Sequence, residues 1–333
     1  MRSDDEVGLA ILKVLQEMDG PAGAARIADR LLSHGIPLRP RSVRFHLLRL
    51  DREGLTRTVS RRAGRALTPR GREEVAHANV IEKVGFAASR MDSLGYRMTF
   101  RPDAGRGTIT ANVALVSNDF MIRALEYMKP VFVRRLGMGA LIAAAREGEE
   151  LAGFRVPRGM TALATVCSVT VNGILLGQRI PVTSRFGGLL ELRDGKPARF
   201  LELIEYRGTT IDPLDFYIRA GTTSVRRCAL TGDGVVGASF REIPAAAVGA
   251  VEGLRRDMDR RALGGILGVG RPNLPLLDIP VSEGQAGLIV MGGLNPFAAV
   301  REAGGQIEIH ALAGLEDISR FVPFQTLRDR YPT

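Results

Sequence analysis

"RPRSVRFHLLRLDREGLTRTVSRRAGRALT", residues 39–68, decides the reading of the N-terminal part of the chain. Pro40 suits a first helical turn, where a missing N–H has no helical partner to lose. Val43, Leu47 and Leu50 then recur at spacings of four and three, the stripe of a helix that buries one face. Gly54 is a natural left-handed stop. "LTRTVS" and "RALT" follow as two strand-like runs around the basic turn "RRAG". The stretch therefore reads as a helix over about 40–53 and then a short basic hairpin.

Working outward, residues 4–19 place Val7, Ala10, Ile11, Val14, Leu15 and Met18 on one helical face, and "DGP" ends that helix. A second helix runs over 22–33 with Ile27, Leu31 and Leu32, and "HGIPL" separates it from the third. Three helices and a basic hairpin is the order of a winged helix-turn-helix. With Val43, Leu47 and Leu50 inward, the third helix offers Arg41, Ser42, Arg44, Phe45 and Arg49 outward, with Arg39 at its start. A helix fits the major groove, and Arg pairs with guanine edges. Arg57, Arg61, Arg62 and Arg65 of the wing fall where phosphates would lie, which gives affinity rather than sequence choice.

Charge location supports the same expectation. Residues 39–72 hold eleven Arg against Asp51 and Glu53, so nine of the ten net positive charges of the chain sit there. A basic patch confined to one segment is an electrostatic footprint for nucleic acid, and with the winged helix-turn-helix order the expected partner is double-stranded DNA. Two blander readings stand beside it: a solvated face in a chain that favours Arg throughout, and a winged helix used for protein contact.

The 333 residues allow two or three domains. Two cysteines, Cys167 and Cys228, form no disulfide framework, so a reducing cytoplasm is expected. The acidic start "MRSDDEVGLAILKVL" lacks a signal-peptide layout, and no apolar run is long enough to span a membrane. Residues 68–96 read as a helical connector able to join domains or to pair two chains. From 97 to 325, strand-like and helix-like pieces alternate. "GTITANVALV" (107–116) is a strand, and "NDFMIRALEYM" (118–128) a helix. Asp212 reads as an N-cap with Gly221 beyond the helix end, and Asn295 as an N-cap with Gly304 as the stop. "NGILLGQRIPVTSRFGGLLEL" (172–192) faintly echoes "GGILGVGRPNLPLLDIPVSEGQAGLIVMGGL" (264–294), which suggests an internal pseudo-repeat. The fold expected is mixed α/β: a winged helix-turn-helix followed by a larger α+β domain.

Cys167-Ser168 stands out as a nucleophile candidate in "TVCSVTVNGILLG". A nucleophile needs a base within reach. Of the four His, three lie before residue 78, leaving only His310, and no G-x-S-x-G elbow occurs. A small core thiol beside a helix start is the simpler reading. No paired Cys or His spacing suits a metal, and no cofactor is expected. "GDGVVG" (232–237) matches a dinucleotide fingerprint, but a helix precedes it and a strand follows, the reverse of what that motif requires. What remains is a site for a small anion, because helix N-termini favour negative charge. Helix starts at Cys167-Ser168, Asp212, Thr222-Thr223-Ser224 and Asn295 are candidates, with Thr183, Ser184, Arg185, Thr209, Thr210, Arg241, Arg271 and Asn273 in nearby loops. The alternative is that these residues only cap helices and fix turns.

"TVCSVTVNGILLGQRIPVTSRFGGLLEL", "YRGTTIDPLDFYIRAGTTSV", "GDGVVGASFREIP", "GRPNLPLLDIPV" and "GLIVMGGLNPFAAV", with the start "GFAASRMDSLGYRMTFRPDAGRGTITANVALV", resemble the effector domain of the NrpR nitrogen regulatory repressors of methanogenic archaea. The winged helix containing "RSVRFHLLRL" matches the same architecture. The resemblance implies residues 1–75 as the DNA-binding domain and 76–330 as a ligand-sensing, dimerising domain. It also implies a homodimeric repressor of nitrogen-assimilation genes, relieved by 2-oxoglutarate. Members often carry two effector domains; this chain has room for one. The effector contacts drawn from the residues are Cys167, Ser168, Ser184, Arg185, Thr209, Thr210, Arg241, Asn273 and Asn295, with Arg185 and Arg241 first among them. Two other functions compete: a module that recruits a second regulator protein, and an enzyme fused to a DNA-binding domain.

Overall fold

The structure, a computed structural model, describes residues 4–18, 20–60, 62–82 and 86–331. The chain divides into two compact units, Met1–Val84 and Gly85–Thr333.

The first unit contains α1 (Asp4–Glu17), α2 (Ala24–Ser33), α3 (Pro40–Arg52), β1 (Thr56–Ser60), β2 (Gly64–Leu67) and α4 (Pro69–Glu82). Ile11, Leu15, Ile27, Leu31, Val43, Leu47 and Leu50 meet in one core, joined by Leu67 and Val75. This is the expected stripe of each helix turned inward, except that Leu32 of α2 is exposed. Gly54 takes φ +73° after α3, as a left-handed stop should. β1 and β2 pair antiparallel, with Thr56 opposite Leu67 and Thr58 opposite Arg65. Ala22, between α1 and α2, adds a bridge to Arg65 and so ties the wing to the helices. Gly64 makes this closeness workable: a Cβ there would lie 2.2 Å from the Ala22 carbonyl oxygen, at φ +92°.

The second unit opens with α5 (Phe86–Arg97) and is then built twice over. The first pass is β3 (Thr108–Ser117), α6 (Met121–Val133), β4 (Leu141–Ala145), a small hairpin of β5 (Glu150–Leu151) and β6 (Phe154–Arg155), β7 (Met160–Val166), α7 (Val169–Gly177) and β8 (Thr183–Arg193). An insertion follows: β9 (Lys196–Glu205), α8 (Pro213–Arg219) and α9 (Val225–Thr231). The second pass is β10 (Gly234–Pro244), α10 (Val248–Arg260), β11 (Ile266–Val269), β12 (Gln285–Met291), α11 (Asn295–Glu302) and β13 (Glu308–Asp317). β14 (Val322–Pro323) and α12 (Phe324–Arg328) close the chain's described part.

The strands form two five-stranded sheets, ordered β13-β3-β7-β4-β14 and β9-β8-β10-β12-β11, with every pair antiparallel. The repeat holds to the residue. Ala111 faces Val166 in one sheet and Ala238 faces Met291 in the other. After α6, Arg135 takes φ 53° and Leu136 donates to the Val131 carbonyl; after α10, Ala262 takes φ 58° and Leu263 donates to the Met258 carbonyl. Each pass also lends its last strand to the other: β8 pairs with β10, and β13 pairs with β3.

The repeat is therefore present in a different register from the one the sequence suggested. The structure matches α7–β8 to α11–β13, whereas the sequence echo set residues 172–192 against the β11–β12 region. The shared Ile-Pro-Val is a loop entering a strand in both places, which is why it looked alike.

Candidate functional site

On α3, Val43, His46, Leu47 and Leu50 are buried, while Arg39, Arg41, Arg44 and Phe45 are exposed and Ser42 is half-buried. The outward face predicted from spacing is thus formed. Arg49 is less available: its Nε lies 3.2 Å from Glu53, and its guanidinium lies where a Cβ on Gly8 of α1 would fall. In the wing, Arg57 and Arg62 are exposed. Arg65 is committed elsewhere, its Nε donating to Asp51 Oδ2 at 2.7 Å while Thr56 Oγ1 donates to Asp51 Oδ1. Asp51 thereby fastens both wing strands to the end of α3. Arg61 lies outside the described residues.

The second site surrounds the start of α7. Arg241, on the central strand β10, is 0% exposed. Its Nη1 donates to the Ser168 carbonyl at 2.8 Å, while Nε and Nη2 have no hydrogen-bond partner among the described residues. Burial pulls its pKa down to about 10, and its electrostatic neighbours are the neutral groups Tyr206 and Cys167. A buried guanidinium without a carboxylate is costly, and unpaired buried donors are rare enough to suggest a missing partner. Ser168 is the N-cap residue of α7, whose dipole adds positive potential there. Cys167 N and Thr170 Oγ1 both donate to the Thr110 carbonyl, and Asn172 Nδ2 donates to Ser184 Oγ. Thr110 Oγ1 and Asn172 Oδ1 are further buried polar atoms without a partner among the described residues.

Cys167, Ser168, Ser184 and Arg241 are therefore brought together. Ser184 and Arg241 stand opposite each other on β8 and β10. Other candidates are engaged in structure. Arg185 Nη1 donates to Glu242 Oε1 at 2.7 Å and to the Pro280 carbonyl, with its guanidinium over Phe186. Asn273 Oδ1 accepts from Gly284 N within a loop. Thr209 Oγ1 both donates to the Ile211 carbonyl and accepts from Ile211 N. Asn295 is not an N-cap, since Leu294 takes that place. Its side chain accepts from Gly237 N and donates to the Gly237 and Leu136 carbonyls, stitching α11 to β10.

Asp212 caps α8 as expected, accepting from Leu214 N and Asp215 N. Burial pushes its carboxyl up to about 6. With Thr210, Arg219 and His310 it lines a cavity of about 360 Å³, and its charge is felt by Cys167 and Tyr206. Desolvation likewise raises the Cys167 thiol to about 12, so it is a neutral thiol and a poor nucleophile at neutral pH. His310 lies 3.1 Å from Glu308 and packs on Phe154. "GDGVVG" has the order helix, turn, strand: Gly232 ends α9 in a left-handed conformation and β10 begins at Gly234. Thr110 and Asn172 escaped the sequence reading because both sit inside apolar runs, where a polar residue looks like a packing detail.

The site occurs once despite the repeat. Cys167 N donating to the Thr110 carbonyl is matched by Gly292 N donating to the Gly237 carbonyl. Where the second pass has Arg241, between Ser184 and Leu288, the first has Ala114, between Ile309 and Leu163. Cys167-Ser168 is matched by Gly292-Gly293, and a Cβ on Gly293 would fall 2.2 Å from the Val166 carbonyl oxygen.

Residues 84–323 match the family described as NrpR regulatory domains NRD1 and 2. The chain belongs to the NrpR family. Residues 9–75 match the Ribonuclease R winged-helix domain. The global nitrogen regulator NrpRI of Methanosarcina mazei is 33% identical over 321 residues, covering 96% of this chain and 97% of that protein. The global nitrogen regulator NrpR of Methanococcus maripaludis is 30% identical over 95% of this chain but only 55% of its own length. This chain thus spans about half of that longer relative. Among solved structures, the nitrogen repressor-like protein MJ0159 from Methanococcus jannaschii superposes with a TM-score of 0.59 at 25% identity, covering 72% of this chain and 98% of that one. No helix among the described residues is long and apolar enough to cross a membrane.

Proposed function

We propose that this NrpR-family chain is a DNA-binding repressor of nitrogen-assimilation genes that releases its operator on binding a small dicarboxylate, 2-oxoglutarate. The observation that carries the sensing half is Arg241: fully buried, hydrogen-bonded once, with two donor atoms unpaired beside the start of α7. A carboxylate there would accept from Nε and Nη2 and lie in the field of the helix N-terminus. The cationic face of α3 and the wing supplies the DNA-binding half, and relatives named as global nitrogen regulators support the regulon.

The chain acts as a homodimer with residues 1–75 on DNA and 76–330 sensing and pairing, the signal passing through 69–92. A second regulator can join this assembly. Ligand releases DNA only to the extent that it favours one arrangement of the chain over the other. Operator affinity measured with and without millimolar 2-oxoglutarate tests the proposal. Weakened binding that Arg241→Ala abolishes supports it; unchanged affinity in the parent chain refutes the inducer. Sedimentation equilibrium checks the dimer.

A further inference from the structure

The exposed face of α3 is not uniformly cationic. Arg41 is followed at three and four residues by Arg44 and Phe45, then Leu48 and Arg52 come at further spacings of three and four, and all five are exposed. Phe45 is 65% exposed and Leu48 51%. Packing elsewhere does not explain them, because Val43, His46, Leu47 and Leu50 fill the inward face. The Phe45 ring touches His46 edge-on at 5.5 Å and otherwise stands clear of the core. Two large apolar side chains one helical turn apart form an apolar island, with arginines before and after it on the same helix.

The charge around the island selects the occupant. Arg41, Arg44 and Arg52 on the helix, with Arg57 and Arg62 on the wing, make a rim that suits a polyanion. In the major groove of a duplex, phosphates border a floor of polar base edges, where thymine contributes a C5-methyl group. We propose that Phe45 and Leu48 read thymine methyl groups, making operator recognition depend on apolar contact as well as on arginine hydrogen bonds. This rests on the DNA-binding reading above and adds the kind of base contacted. Leu48 belonged to no expected set, since the sequence alone made it a second apolar residue beside Leu47.

The experiment separates the two claims. A duplex is selected from a random library with the full chain, and each thymine is then replaced by deoxyuridine, which removes the methyl and keeps base pairing. At the contacted thymines, affinity should fall about three- to five-fold per methyl, the scale of one buried methylene. Phe45→Ala and Leu48→Ala should each weaken binding to the thymine duplex and lose the response to deoxyuridine at one position, while Leu48→Met keeps it. Both side chains are exposed, so the variants should melt like the parent. If no thymine responds, or if the responses persist unchanged in both alanine variants, the apolar reading is wrong. If the chain selects no duplex at all, the DNA-binding reading itself fails.

Discussion

Arg241 and Asp212 carry their charge states at a cost to the fold, and each makes a measurable prediction. Even a buried ion pair can often be exchanged for apolar side chains of similar volume at no cost or with a gain of about 1–4 kcal/mol, and an unpaired guanidinium lacks the Coulombic return of a pair. Arg241→Met should therefore raise the melting temperature of the ligand-free chain while abolishing any shift caused by 2-oxoglutarate. A strongly lowered melting temperature would show that the guanidinium is paired. For Asp212, the folded carboxyl titrates at about 6, against about 3.9 in an unfolded chain. Between those pH values the folded chain holds a proton the unfolded chain has lost, so this group's contribution to stability falls as pH rises through the window. Asp212→Asn can still cap α8 but cannot titrate. Its melting temperature relative to the parent should climb between about pH 4 and pH 6 and level off outside that range. At this scale the sequence was half legible. Arg185 and Arg241 looked equivalent in it, both read as loop arginines near helix starts, whereas they lie on the paired strands β8 and β10. Glu242, 57 positions beyond Arg185, decides that one guanidinium is paired and the other is open.

The first unit's elements were readable almost to their ends, because periodicity, Pro40 and Gly54 are local signals. What the sequence could not display was the tie between elements. Asp51 was counted only as an offset to the arginines, yet it holds Thr56 and Arg65 together. Asp51→Ala should loosen the wing and cost about 1–3 kcal/mol through the partners it leaves unpaired, seen as faster amide exchange in β1 and β2. Gly64→Ala should cost more than an ordinary glycine replacement, since both φ +92° and the Ala22 carbonyl oppose it. In the second unit, Asn295 was legible as a residue at a helix start but not as a buried bridge, because Gly237 lies 58 positions away.

The described residues form separate cores, with the winged helix's core distinct from the three in the second unit. Leu47→Ala, which removes a fully buried side chain from the first, should cost about 2–5 kcal/mol there and leave the transition of residues 86–331 in place. Differential scanning calorimetry of the full chain would resolve this as one shifted and one unshifted component. Within the second unit no such separation is expected, because β8 and β13 each belong to one pass and complete the sheet of the other. The duplication was faint in sequence since its two copies share backbone register far more than side chains: Arg241 answers to Ala114, and Cys167-Ser168 to a glycine pair.

That exchange of strands also says what one pass could do alone. A half-length polypeptide with a single pass would end in a strand that its own sheet has no place for, beside a gap of the same shape. Two copies would fill each other's gaps as an intertwined pair. Because both passes lie in one chain they need not be alike, and Arg241 on one side stands against Ala114 on the other, Cys167-Ser168 against the glycine pair.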